Sequence, residues 1–319
     1  MKQRGFIHLA VLLVTLLLGL WAFNNTREIR DWWTLRFYDP PAEIANLADR
    51  SYLSNDGRRL FYASQPEINS RDDFNLNCPF IDRSLVLGCY SHDRIYVFKV
   101  EDDRLAGIEE VTAAHELLHA VYARLSSGER ERLNRLTDEA LKTVDNERFL
   151  KAVEGYREDD PGALPNELHS LLGSEIRSLP VELEEHYAKY FTDRLQLVAL
   201  AESYEEVFTM INDRLAGLES QLTQLRQRIS TTEQSLESRK AELDAEEQRL
   251  SALRQSGQIA AYNAAVGGFN AQVNGYNELI DSYKGLVADH NKLVEQYNSV
   301  ALEQNQLVQS LNSKFQPIN

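Results

Sequence analysis

Ile108-Glu109-Glu110-Val111-Thr112-Ala113-Ala114-His115-Glu116-Leu117-Leu118-His119-Ala120-Val121-Tyr122-Ala123-Arg124-Leu125 is the stretch on which the reading of this chain turns. Ile108, Val111, Leu118, Val121 and Leu125 recur at helical spacing and fall on one broad face, so the stretch predicts an amphipathic helix. Ser126-Ser127-Gly128-Glu129 ends it and matches the Ser-x-x-Glu box that caps a following helix. His115 and His119 stand one helical turn apart, so their imidazoles project from one face and can converge on a single metal ion. Glu116 lies about 100° round from His115, which sets its carboxylate beside the ion rather than on it, where it can accept a proton from a bound water. This spacing is the one zinc hydrolysis demands, with Zn2+ as the expected cofactor and Glu116 as the expected general base.

Immediately upstream, Ser84-Leu85-Val86-Leu87-Gly88-Cys89-Tyr90 and Ile95-Tyr96-Val97-Phe98-Lys99-Val100 are β-rich runs separated by the polar Ser91-His92-Asp93-Arg94, and together predict a hairpin. Such a hairpin offers an edge strand to an extended peptide beside the metal helix. Cys78 and Cys89 are the only cysteines, and a bridge between them would close a loop of about 12 residues, stabilising by about 3 kcal/mol; two free buried thiols are the alternative. Residues 24 to 77 read as a mixed segment, with a short helix from Pro41 and a turn at Asn55-Asp56-Gly57. Before it, an apolar stretch from Phe6 to Phe23 follows Lys2 and Arg4 and is interrupted by His8, Thr15 and Gly19. At about 1.5 Å per residue it just reaches across a hydrocarbon core, and it reads as an uncleaved signal anchor with the chain from Asn24 onward outside the cytoplasm. A cleaved signal peptide and a buried helix are the alternatives.

Downstream, helical spacing continues to about Phe149, Asp159-Asp160-Pro161-Gly162 interrupts it, and further helices are predicted from Asn166 to before Leu179-Pro180 and from Val181 past Arg194. Zinc needs a third protein ligand and an open position. His115-Glu116-x-x-His119 followed some 48 residues later by Asn166-Glu167-x-x-Ser170 resembles the gluzincin metallopeptidases, and the Asn-Glu-x-x-Ser wording is similar to the thermolysin branch in particular. The resemblance covers about 35 residues in two patches. It implies Glu167 on a second helix as third ligand and peptide-bond hydrolysis as the activity. One departure is Leu171, where that branch carries an Asp supporting a zinc histidine. Glu175 and His169 are the alternative ligands; Glu175 lies about 12 Å beyond Glu167 on one helix, so the two carboxylates cannot share an ion. His186, Tyr187 and Tyr190 are the candidate oxyanion donors by residue type.

The last third is a repeat. Ile211, Leu215, Leu218, Leu222, Leu225 and Ile229 keep a four-three spacing that extends through Leu236, Leu243, Leu250 and Leu253, interrupted at Thr232, Arg239 and Glu246. A second series places Ile259, Val266, Val273, Ile280, Val287, Val294, Ala301, Val308 and Phe315 at one core position. Tyr262, Phe269, Tyr276, Tyr283, His290, Tyr297, Gln304 and Leu311 occupy the other. The two frames slip by two residues at Ser256-Gly257, which predicts a helix that reverses there and packs antiparallel on itself; a parallel dimer of one long helix is the alternative. His290 is a core position in this frame, not a ligand.

The expected architecture is thus α+β and mostly α: a signal anchor over 1–23, a zincin-like domain with a small β-hairpin over 24–205, and a coiled-coil helical hairpin over 206–319. With 43% apolar and 26% charged residues the chain is globular, and 49 Asp+Glu against 34 Lys+Arg give a net charge of -15, which repels nucleic acid. The expected function is a membrane-tethered extracytoplasmic zinc metallopeptidase acting on a peptide or protein substrate, its coiled coil a spacer, lid or platform for a coiled-coil partner or second copy. The alternative is an inactive cell-envelope scaffold acting through the coiled coil; a relic has no need of a base, and Glu116 is retained.

Overall fold

The computed structural model describes residues 15–17, 19–23, 25–79 and 86–314. Its order begins α1 (Thr26–Phe37), α2 (Ala42–Arg50), α3 (Asn55–Ala63), β1 (Glu67–Asn69), α4 (Arg71–Asn77), β2 (Gly88–Ser91) and β3 (Arg94–Phe98). It continues α5 (Ile108–Arg124), α6 (Ser127–Leu141), α7 (Glu147–Asp159), α8 (Leu164–Glu175), α9 (Val181–Tyr187), α10 (Arg194–Gln255) and α11 (Ile259–Leu311). The chain is therefore mostly helical, with a three-stranded sheet and a long helical hairpin. It divides into two compact units, one reaching Val207 and including the residues from Leu307, the other Phe208–Gln306.

In the first unit α5 is the central element. Of its expected apolar face Ile108, Val111, Leu118 and Val121 are buried and Leu125 is half-buried, and Ala113, Ala114, Leu117 and Ala120 are buried as well, because the sheet covers one flank of the helix and α8 the other. Leu117 and Leu118 are fully buried, each contributing about 1.5–3 kcal/mol of apolar burial. The strand order is β1-β3-β2, with β2 antiparallel to β3 and β1 parallel to it. Alternation along β3 sends Ile95 and Val97 into the main core, while Tyr96 and Phe98 join Phe74 and Cys78 on the opposite face. The hairpin turns through His92 and Asp93, both at positive φ (52° and 61°), the two-residue turn that matches strand twist. Cys78 and Cys89 are bridged and pin β2 to the end of α4.

Several local expectations are corrected. Asn55-Asp56-Gly57 is the first turn of α3, not a turn between elements, because the Ser54 hydroxyl accepts from the Gly57 N–H (3.1 Å) and caps the helix. The helical run expected up to Phe149 breaks after Leu141 and restarts at Glu147, capped by Asn146 accepting from the Phe149 N–H (3.0 Å). The helix expected from Val181 past Arg194 stops at Tyr187, and the segment before α10 crosses to α2's exit, where Thr192 N–H donates to the Tyr52 carbonyl (2.7 Å). The Ser126–Glu129 capping box is present as expected.

The single-pass membrane localisation is also corrected: among the described residues no helix is long and apolar enough to cross a membrane. Residues 1–14, Leu18 and Asn24 of the expected anchor and its border lie outside the described residues, as do Ser84 and Leu85 of the first β run and Phe315 of the heptads. Past the short described apolar segment, α1 is charged, carrying Arg27, Glu28, Arg30 and Asp31.

The second unit is an antiparallel helical hairpin. Gln304 donates to Asn212 (2.6 Å), Arg226 meets His290 (3.4 Å), and Tyr283 donates to Glu233 (2.6 Å), so position rises on one arm as it falls on the other. The reversal is at Gly257, at φ +76°. On α10 the buried or half-buried residues follow the four-three frame, with Arg239 exposed. On α11 the aromatic row is half-buried, whereas Ile259 and Val308 are exposed and Leu286 and Val300 are buried instead. Leu286 and Val300 each lie three residues past a tyrosine, so an aliphatic side chain fills the seam under a ring whose polar tip reaches outward.

Candidate metal centre

His115 and His119 project from the same face of α5, as their spacing requires, with their Nε2 atoms 3.1 Å apart. Glu167, in the first turn of α8, approaches both: Oε2 lies 3.5 Å from His115 Nε2 and Oε1 lies 3.6 Å from His119 Nε2. Tetrahedral ligands at bonds of about 2.0–2.1 Å stand roughly 3.3–3.4 Å from one another, so each imidazole stands from one of the two Glu167 oxygens at about the separation of neighbouring zinc ligands. The donor set of two imidazoles and one carboxylate suits zinc chemically. Among the described residues Glu116 Oε2 is buried with no hydrogen-bond partner and Glu167 Oε2 has only the 3.5 Å approach of His115 Nε2, a costly state for a carboxylate that a cation at this point relieves. His115, Glu116 and His119 offer ligand atoms all within 4.8 Å of one another.

Three supporting groups were not legible from the sequence. Ser170, fully buried, places Oγ 3.2 Å from His119 Nδ1. With Nδ1 engaged there, the ring presents Nε2 toward Glu167; Leu171 packs in the core. Tyr156 on α7 donates its hydroxyl to Glu167. Gly88 lies on β2 directly over the base: a Cβ there would stand 2.6 Å from Glu116 Oε1 and 2.6 Å from Thr112 Cγ2. Only glycine lets the strand lie so close, and the next inward-facing residue, Tyr90, donates its backbone N–H to the Glu116 carboxylate.

Burial and charge split these groups. Burial pushes the Glu116 carboxyl up to about 8, helped by the neighbouring Glu167 charge and opposed by His115 and the Tyr90 amide. Burial opposes charge on His115, but contact with Glu167 and the charges of Glu116 and Glu167 outweigh it and raise it to about 9. Burial likewise disfavours an ionised Glu167, yet His115, His119 and Tyr156 hold it down at about 2. Burial lowers His119 to about 4. At neutral pH the metal-free site therefore holds protons on His115 and Glu116, while Glu167 is ionised and His119 neutral.

The other candidates go elsewhere. Glu175 is at the far end of α8 and pairs with Arg148, which also binds Glu205. His169 is fully buried, its Nε2 3.0 Å from His186 Nε2. Tyr187 is fully buried and its hydroxyl donates to the His169 carbonyl (2.7 Å), so it is not free to act as an oxyanion donor. Tyr190 packs edge-on against the His186 ring at 5.5 Å. His92 sits in the hairpin turn and His290 in the coiled-coil seam, and His8 lies outside the described residues. Comparison with known proteins finds no matching family model, no similar curated protein and no similar solved structure.

Proposed function

We propose that this chain is a zinc-dependent metallopeptidase of zincin-like build, in which His115, His119 and Glu167 hold the metal and Glu116 is the general base. One observation carries the reading: a carboxylate from a separate helix, some 48 residues away in sequence, comes to 3.5 and 3.6 Å from the two imidazoles of the His-Glu-x-x-His helix. Zinc at such a site lowers the pKa of a water toward about 7 and polarises a carbonyl. Glu116, with Oε2 unpartnered, is placed to take a proton and return it to a leaving amine, while the Tyr90 amide fixes its other oxygen. β2 is an edge strand among the described residues, which supports a peptide as substrate. Tyr90 pairs opposite Ile95, whose N–H turns the other way to the Ser64 carbonyl (3.0 Å), so the Gly88 backbone and the Tyr90 carbonyl face off the sheet, where an extended chain can add, while the Tyr90 N–H is taken by Glu116.

Incubating the purified full-length chain with a peptide library tests this reading. Cleavage should be abolished by a chelator and restored by zinc; cleavage untouched by the chelator, or none with zinc supplied, contradicts it. A second expectation concerns protons. His115 and Glu116 carry protons at pH 7 in the metal-free protein and lose them as zinc arrives, whereas Glu167 and His119 have none to give. Zinc binding should therefore release about one to two protons at pH 7, with apparent affinity rising as pH climbs and release fading above about pH 9. Calorimetry in buffers of differing ionisation enthalpy reads this directly, and uptake without proton release at pH 7 contradicts it.

A further inference from the structure

The Tyr90 amide reaches Glu116 from β2, and a largely buried guanidinium at the end of α5 meets the side chain of the same tyrosine. Arg124, in the last turn of α5, places Nη1 3.3 Å from the Tyr90 hydroxyl and 2.9 Å from the Ala120 carbonyl. Its Nε and Nη2 form a fork on Asp31 of α1, at 2.8 and 3.0 Å, and Nη2 lies 3.5 Å from Ser64 Oγ. The Tyr90 hydroxyl in turn donates to Asp93 Oδ1 (2.8 Å), and Asp93 pairs with Arg27 and Arg30 of α1. The Arg124 and Asp31 side chains are 11% and 16% exposed, so the pair is largely out of water. An Arg–Asp fork alone satisfies such a buried pair; the contact to the strand is additional, and it falls on the residue whose amide binds the base.

We propose that Arg124 is a positioning residue: through the Tyr90 hydroxyl it holds β2 at the height where the Tyr90 amide engages Glu116. The inference rests on the reading of Glu116 as base, but its first consequence is independent of catalysis. The Tyr90 amide faces the free edge of the sheet, so Glu116 is what protects it from exchange, whereas Cys89 is protected by pairing with Tyr96 on β3.

The experiment compares wild type, Arg124→Ala, Arg124→Lys, Tyr90→Phe and the double variant Arg124→Ala/Tyr90→Phe as zinc-loaded full-length chains. Amide exchange is read for residues 87–94 and steady-state hydrolysis for a cleaved peptide. In each variant the Tyr90 amide should exchange at least about tenfold faster, with Cys89 and the α5 amides unchanged. Hydrolysis should show kcat lowered about 10–100-fold, KM within about twofold, and zinc still bound. Lysine should rescue little, because it cannot keep the fork on Asp31 and reach the tyrosine together, and the double variant should be no worse than the worse single. Unchanged exchange at Tyr90 in the mild Tyr90→Phe variant overturns the proposal whatever the hydrolysis, as does faster exchange with an unaltered kcat. Faster exchange in the variants, with a wild type that hydrolyses nothing, supports the coupling and overturns the peptidase reading instead.

Discussion

Replacing Glu116 with Gln should lower kcat for peptide hydrolysis by about 10²–10⁴-fold, the usual contribution of a general base, while zinc stays at about one per chain. The shape of the side chain is preserved, and the carbonyl oxygen of the amide remains the acceptor for the Tyr90 N–H. The NH2 group then occupies the position of Oε2, the oxygen that has no hydrogen-bond partner among the described residues. A donor replaces an acceptor at the one atom free to receive a proton. Because Glu116 is proposed as the base and not as a ligand, metal content separates this loss from unfolding. Elemental analysis and initial rates on the same preparation decide it, and a variant that cleaves as fast as wild type removes Glu116 from the mechanism.

The second large effect falls on Glu167. Glu167→Ala should weaken zinc binding by well over 100-fold, more than loss of an outer supporting group costs, leaving a dialysed preparation nearly metal-free. Glu175→Ala should keep its zinc. The two carboxylates lie on one helix, yet Glu167 faces His115 and His119 while Glu175 pairs with Arg148, which is half exposed. Glu175 is only 11% exposed, but Arg148 keeps Glu205 when it is lost, so the change should lower the melting temperature without metal loss. Equal metal content in the two variants, or loss from Glu175→Ala alone, reverses the assignment of the third ligand.

What the sequence made legible was local or periodic. The helix bearing His115 and His119, the Ser126 capping box, the His92–Asp93 hairpin, the reversal at Gly257 and the Cys78–Cys89 pair all depend on residues near one another in sequence or on a repeating stripe. What was hidden depends on distant partners. β1 is three residues long and defined by its parallel pairing with β3, and no periodicity announces it. Gly88 reads as an ordinary strand residue until Thr112 and Glu116 are brought beneath it. Ser170 lay in view within the Asn-Glu-x-x-Ser wording, but its part in orienting His119 depends on how α8 docks on α5. Among the oxyanion candidates chosen by residue type, Tyr187 proved to be buried, with its hydroxyl on a backbone carbonyl, which composition cannot foresee.

Zinc K-edge X-ray absorption on the purified full-length chain tests the assembly of this centre most directly. Two imidazole nitrogens at about 2.0–2.1 Å and carboxylate oxygen at about 2.0–2.2 Å, with no sulfur, are the expected shell, and the imidazole signal should fall by half in His115→Ala at whatever metal content remains. An all-oxygen shell, or a wild-type chain that takes up no zinc, contradicts it.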